Sequence, residues 1–460
     1  MYGFLKNLFR EHRVLATHKA NIQSLPNKSH LLHSQSAPEA IDDTLKSLTP
    51  PEARCRHLMQ LYFKHFEGVY RILHGPSFWR YFDKLWSGEL ANTSAFTALL
   101  LAAMSCARCL YPDEPISFEG DKSTSAVQAG LWVQAAESFH AMQSHKRTTI
   151  IWFQLPCLLL LSKRLSGIKV KRHFVLSQTL IATAVSAGLH RSPSVLGTRI
   201  TVYEREMRRR LWATMTELEL SCSIDWGVPS FSGALFADCE PPSNLNDEDF
   251  QEDAAEPPAA QPDNTLTDCS FQRYTHHLKP LRNAISNLVN HPDKHRDLGY
   301  MELLSYHQLV ASKFKDIPSW GSSESSDDEI DKAFLLKRAI ELQLHQLLII
   351  LHLPFAVGSE SDPNKNHSRF ICVDSATNIL STYERMPQHG FSQMSIFKPN
   401  LVRASLCICL LQARSVCNGK SYFFFTAALQ SQKPRAYSCN RPSHAGHWRG
   451  LSDPTDGKGV

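Results

Sequence analysis

The sequence lacks a dense cysteine framework. Its twelve cysteines are spread from Cys55 to Cys439 over 460 residues, and no window of 30 holds more than three. A disulfide-stapled mini-protein is excluded, and reduced thiols serving as core filler are expected. Two close pairs exist, Cys106-x-x-Cys109 and Cys407-x-Cys409. A structural zinc site needs four converging nitrogen or sulfur ligands, and no second pair lies near the first. On the apolar run AFTALLLAAMSCARCL, positions three apart share one helix face, so packed thiols are expected there.

Long apolar runs are also missing. The longest, Ile150 to Leu161, is broken by Gln154 and Pro156, and falls short of the roughly 20 residues that span a bilayer. Residues Met1 to Leu15 carry charges every few positions and lack the apolar core of a secretory leader. A soluble intracellular chain with no membrane partner is expected. Glycine is scarce at 20 residues, which excludes a collagen-like repeat. One-sided charge is absent too: 49 basic against 44 acidic residues leave only +5. That excludes a histone-like tail and by itself predicts no nucleic-acid partner. Phosphate-cradling glycine loops, HExxH helices and G-x-S-x-G elbows are absent, so no common catalytic signature is present. Asp327-Asp328 falls in what reads as a polar linker, GSSESSDD, rather than on a helix of paired carboxylates, which argues against an all-α lipid or terpenoid enzyme. Histidines are scattered; His276-His277, and His140 with His145, read as surface polar groups.

What is present is helical. Apolar residues make up 43% and charged residues 20%, near globular averages. Leu58, Leu61, Tyr62, Phe66, Val69, Tyr70 and Leu73 recur at helical spacing, and His74-Gly75-Pro76-Ser77-Phe78 stops that helix, with Ser77 placed to cap the next. Further helical windows are 4–14, 78–90, 95–110, 124–144, 148–165 (with a kink expected near Pro156), 169–187, 202–225, 271–289, 300–315, 329–351, 369–384 and 398–416. No alternating strand pattern stands out, so the fold class is all-α, with long acidic and polar loops. The expected organisation is a mostly disordered lead-in (1–50), an N-terminal helical half (51–250), an acidic, proline-rich linker (251–270), a C-terminal helical half (271–420) and an irregular tail (421–460).

Charge is patterned along the chain. Residues 160–215 hold eleven Lys or Arg and two Glu, and Asp238 to Glu256 holds eight acids and no base. A solvated helix face with internal ion pairs is the favoured reading; a phosphate-contacting face is the alternative. Lys163, Arg164, Lys169, Lys171 and Arg172 resemble a weak import signal. Arg208, Arg209 and Arg210 fan around a helix at 3.6 residues per turn, so one is expected to point inward toward a carboxylate such as Glu217 or Glu219. Leu211, Trp212, Met215 and Leu218 form a core stripe, and Gly227 and Pro229 stop the helix.

Five strings in order resemble the fungal-specific transcription factor domain, the middle homology region of fungal six-cysteine zinc-cluster regulators. They are LYFKHFEGVYRILHGPSF (61–78), AGLHR (187–191), RRRLWATMTELELSCSIDWGVP (208–229), DCEPPSNLNDED (238–249) and HLPF (352–355) followed by Cys372. The resemblance covers about residues 55–420. It implies an all-α regulatory domain of a nuclear regulator of RNA polymerase II transcription, not an enzyme. Its signature positions are His74, Pro76, Phe78, Leu189, His190, Arg191, Arg208, Arg209, Arg210, Leu211, Trp212, Gly227, Pro229, His352, Pro354 and Phe355, expected to serve folding rather than binding. Val228 and Leu353 depart from the pattern, which has Arg at both. The family's DNA contacts come from a separate zinc cluster. No cofactor or metal is expected here, and zinc only if an upstream six-cysteine cluster accompanies the chain. Direct contact with DNA is therefore not expected. Other transcription proteins, a homodimer and a small-molecule effector are the partners the resemblance implies. A helical scaffold or adaptor outside transcription is the competing reading.

Overall fold

The computed structural model describes residues 38–417, apart from 92, 111–117, 120–121, 144–148, 169, 292–297, 321–326, 358–363 and 392–397. The expected helix at 4–14 and the irregular tail lie outside these residues. The chain divides into two compact units, Met1–Gln412 and Ala413–Val460. The second contributes only the end of the last helix to the described residues.

The fold is all-α. Thirteen α-helices are described: α1 Pro38–Leu48, α2 Glu52–Tyr62, α3 Gly75–Ser87, α4 Thr93–Ala107, α5 Thr124–Met142, α6 Ile150–Ser166, α7 His173–Ser186, α8 Val202–Trp226, α9 Ser270–Asn290, α10 Tyr300–Lys315, α11 Asp327–Ala356, α12 Lys365–Arg385 and α13 Lys398–Cys417. The extended pairing among the described residues is one two-residue antiparallel ladder, Phe118–Glu119 with Lys122–Ser123. The expected lead-in thus carries a helix, α1, at its end.

α4 is the centre of the N-terminal part, with every residue from Phe96 to Ala107 buried. A helix apolar all round must be surrounded, and α2, α5 and α6 pack against it. α8 lies on α7 and α6, and α9 joins α8 to α11, which pairs closely with α12. α11 is long and apolar enough to cross a membrane, but 67% of its most apolar window is buried inside the fold. It is a core helix.

The expected single helix over Arg54–Leu73 divides. After α2 the chain makes a π-turn at Phe63–Glu67, then turns at Gly68–Val69 and runs irregularly to His74, where α3 starts. Irregular buried backbone needs partners from elsewhere. Glu67 Oε1 accepts from Leu73 N–H at 2.9 Å, and Gln154 Nε2 donates to the Ile72 carbonyl at 2.7 Å. The π-turn turns His65, Phe66 and Glu67 all inward, which places Glu67 for that contact. Pro156 stays within an unbroken α6, and α11 continues past the expected end, through Pro354, to Ala356. Asp327 and Asp328 are not linker. They open α11, where carboxylates suit the positive helix end, and Asp331 meets His389 Nδ1 at 2.9 Å.

Candidate functional site

The three arginines fan as their spacing predicts. Arg208 donates to the Ala187 carbonyl at the end of α7, at 3.0 Å. Arg209 pairs with Glu206 at 3.3 Å and Glu240 at 3.6 Å. Arg210 is fully buried, and its partners are Glu206 at 3.3 Å and Asp247 at 2.5 Å. The expected partners, Glu217 and Glu219, are engaged elsewhere. Glu217 accepts from Arg282 at 2.6 Å and Gln343 at 2.9 Å, tying α8 to α9 and α11. Glu219 accepts from Phe231 N–H at 2.9 Å and the Ser230 hydroxyl at 2.7 Å, gathering the loop that follows Gly227 and Pro229. Glu217 and Glu219 lie seven and nine positions beyond Arg210 on the same helix, about two turns away. Glu206, one turn before it, is in reach.

Asp247 is the centre of a buried charge junction. Its Oδ1 accepts from Arg71 and Arg210, and its Oδ2 accepts from Gly75 N–H at 2.7 Å. Its carbonyl accepts from His74 Nε2 at 2.8 Å, and its own N–H donates to Asp268 at 2.8 Å. Every polar atom of the residue is used. Lys332 on α11 donates to Asp268 at 2.5 Å, so the junction reaches the C-terminal helices. The Arg210 guanidinium also lies over the Phe250 ring at 4.7 Å. Burial opposes ionisation of Asp247, but Arg71, Arg210 and the Gly75 N–H outweigh it and hold the carboxyl below its ordinary range. Glu67 has the opposite fate: burial pushes it up to about 8, against the pull of Arg71 and the Tyr62 hydroxyl.

His74 belongs to the same junction. Because Nε2 faces a carbonyl, it carries the proton, and Nδ1 is left as acceptor. Nδ1 accepts from Ser77 N–H at 3.3 Å, so His74, not Ser77, is the N-cap of α3. The cap moves one turn earlier because Asp247 fixes the imidazole tautomer. Burial also lowers the pKa of His74, keeping it neutral. Pro76 sits in the first turn of α3, and Phe78 is buried against Phe63 and Phe96.

The other signature residues pack or pair nearby. Leu189 is buried, and the His190 carbonyl accepts from Asp238 and Cys239 N–H, each at 3.1 Å. Arg191 grips Asp238 through two bonds at 2.9 and 3.0 Å on the surface. Leu211, Trp212, Met215 and Leu218 are all buried in the main core. Gly227 ends α8 at φ 66°, a left-handed cap. His352 is fully buried on α11, 3.0 Å from His307 Nδ1 and 3.2 Å from the Ser368 hydroxyl. Phe355 stacks obliquely on Tyr300, and Pro354 occupies the last turn of α11. Three signature strings far apart in sequence, 61–78, 208–229 and 238–249, therefore converge on Asp247; 187–191 meets Asp238 and Cys239, and the 352–355 block belongs to a separate cluster.

The charge contrast is settled by these pairs. Lys163 pairs with Glu137, Arg164 with Asp225, and Arg191, Arg209 and Arg210 with the acidic loop. At the far end of the loop, Glu252 accepts from Arg80 and Tyr81. Lys171 and Arg172 remain exposed, and Lys169 lies outside the described residues. Cys106 is buried in α4, its thiol 3.7 Å from the Leu158 carbonyl; the Cys109 side chain and His145 lie outside the description. Cys407 is buried and Cys409 exposed, so they face apart. Among the described residues no group of three His, Cys, Asp or Glu is placed to hold a metal ion.

An all-α domain organised around one buried charge junction is the class these features define. The family model described as the fungal specific transcription factor domain matches residues 59–383, and the chain belongs to that family. It is 28% identical over 381 residues to "Transcription factor opdR" of Penicillium oxalicum, covering 80% of this chain and 47% of that protein. It is 28% identical over 353 residues to "Transcription factor lepE" of Aspergillus flavus, covering 76% and 41%. It is 24% identical over 358 residues to "Zn(2)-C6 fungal-type transcription factor mpsB" of Macrophomina phaseolina, covering 76% and 47%. The chain spans less than half the length of these curated relatives. No solved structure matches it.

Proposed function

We propose that this chain is the regulatory portion of a nuclear regulator of RNA polymerase II transcription, acting on a dedicated set of genes. Relatives carry names such as "Equisetin cluster transcription factor eqxF", which favours a gene-cluster target. The observation that carries the reading is the convergence of signature strings on Asp247 within the matched region. The basic helices turn much of their charge inward, so DNA is reached through a zinc-cluster module or a partner that supplies one, and any zinc belongs there. No catalytic activity is assigned; the junction's charged groups are consumed by one another. Its partners in this reading are other transcription proteins and DNA at second hand, with a second copy of the chain as a further candidate. The signature positions act as a folding frame.

A fluorescent fusion and transcript sequencing of a deletion strain test this. Nuclear accumulation with a compact set of changed transcripts is expected. Cytoplasmic residence with an unchanged transcriptome overturns it and returns the chain to the scaffold reading.

A further inference from the structure

A cavity of about 400 Å³ opens beside the junction, between α3, α4, α6 and the start of α8. Its wall is apolar, built on Phe78, Phe96, Leu99 and Ile151. Among the described residues no Lys or Arg lines it, whereas two carboxylates, Glu204 and Glu252, do. Polar groups share the lining, among them His74, Ser77, Tyr81 and Tyr203, and Gln154 is the one on α6. Gln154 on α6 is 95% buried (5% exposed), and its Nε2 is spent on the Ile72 carbonyl. Among the described residues nothing donates to its Oε1. That amide oxygen opens to the cavity with an acceptor position that a donor on a bound molecule can fill.

From these observations we infer that the cavity is a binding site for an uncharged, largely apolar small molecule that donates one hydrogen bond, from a hydroxyl or amide N–H, to Gln154 Oε1. The volume lies within the range of small-molecule sites, and a mainly apolar wall with a few polar groups is their ordinary composition. Anions are disfavoured by the two carboxylates, Glu204 and Glu252, in the lining. The site is coupled to the charge junction by shared residues. His74 lines the cavity and bonds to Asp247; Glu252 lines it and ends the acidic loop on Arg80. Occupancy therefore bears on the loop that carries Asp247. This assignment concerns binding to the purified chain and stands whether or not the transcriptional reading holds.

The test uses the full 460-residue chain and three probes of one shape: 2-naphthol, 2-methylnaphthalene and 2-naphthoate. Binding is read by calorimetry and by the shift in melting temperature. One-to-one binding of 2-naphthol is expected, about three- to tenfold tighter than 2-methylnaphthalene, the worth of one hydrogen bond. 2-Naphthoate binds weakest. Gln154→Leu equalises the first two probes, and Ile151→Trp, which fills the cavity, removes all binding. Should Ile151→Trp melt at room temperature, Leu90→Trp at the rim replaces it. The inference is overturned by no saturable binding of 2-naphthol, by binding that survives the cavity-filling change, by naphthoate binding as tightly as naphthol, or by a naphthol preference that persists in Gln154→Leu.

Discussion

Arg210 and Asp247 stand 37 positions apart and meet at 2.5 Å with both side chains out of water. Removing one partner of such a pair leaves the other charge buried and uncompensated, which costs about 3–5 kcal/mol. Arg210→Met is expected to lose about that much in urea unfolding. Arg210→Lys does not rescue it, because one ammonium cannot serve Glu206 and Asp247 as the guanidinium fork does. The costs do not add when Asp247→Asn is combined with Arg71→Met and Arg210→Met: the triple variant is less destabilised than the sum of the three. Strict additivity would show the junction to be energetically loose.

Trp212 is buried in the main core beside Leu211, Met215 and Leu218. Trp212→Ala is expected to cost about 3–5 kcal/mol. An unchanged melting curve would remove α8 from its place at the centre of the fold.

Glu67 titrates with the sign of a raised acid. Its folded pKa is about 8, above the ordinary carboxyl value near 4.3 in an unfolded chain. Between those values the folded state holds a proton that the unfolded state has lost. The stability it contributes is full below the unfolded value and drains away as pH rises through about 8. Glu67→Gln is expected to flatten the fall in melting temperature from pH 5 to 9. Parallel wild-type and variant curves would show that Glu67 is ionised in the fold.

His65 and His352 behave in the reverse sense. Burial lowers them to about 4 and about 3, the neighbouring Lys64 adding to the first, and His307 with His367 to the second. Unfolded imidazoles take their protons near 6.5, so the unfolded state binds more protons in this window and stability is lost as pH falls below about 6.5. His352→Gln is expected to make the melting temperature less sensitive between pH 6.5 and 4. A variant as acid-sensitive as the wild type would place the acid response elsewhere.

Much of the frame was legible in the sequence because it rests on local periodicity. The Trp212 stripe, the cap at Gly227 and the fan of Arg208, Arg209 and Arg210 follow from 3.6 residues per turn. The complementarity of the basic stretch and the acidic loop was legible as composition. The partners were not. Eight acids lie between Asp238 and Glu256, and nothing local separates Asp247 from its neighbours; its role comes from Gly75 and Arg71, 172 and 176 positions away. The cap of α3 fell to His74 for the same reason, since a tautomer fixed by a distant carbonyl has no sequence signal. The π-turn at Phe63–Glu67 escaped because its apolar residues keep helical spacing while the backbone leaves the helix. The cavity wall escaped because Gln154 within an apolar run reads as an interruption.

The long reach of Asp247 also sets an order of events during synthesis. Arg71 leaves the ribosome 176 residues ahead of its carboxylate, a delay of roughly 10–35 s at typical elongation rates. Throughout that interval the Arg71 guanidinium and the His74 Nε2 lack the Asp247 atoms they bond in the fold, and the tautomer that caps α3 is not fixed. A nascent chain cut anywhere between Gly75 and Asp247 therefore carries an unneutralised arginine into its own core. Such fragments are substrates for chaperones and proteases rather than small versions of the domain.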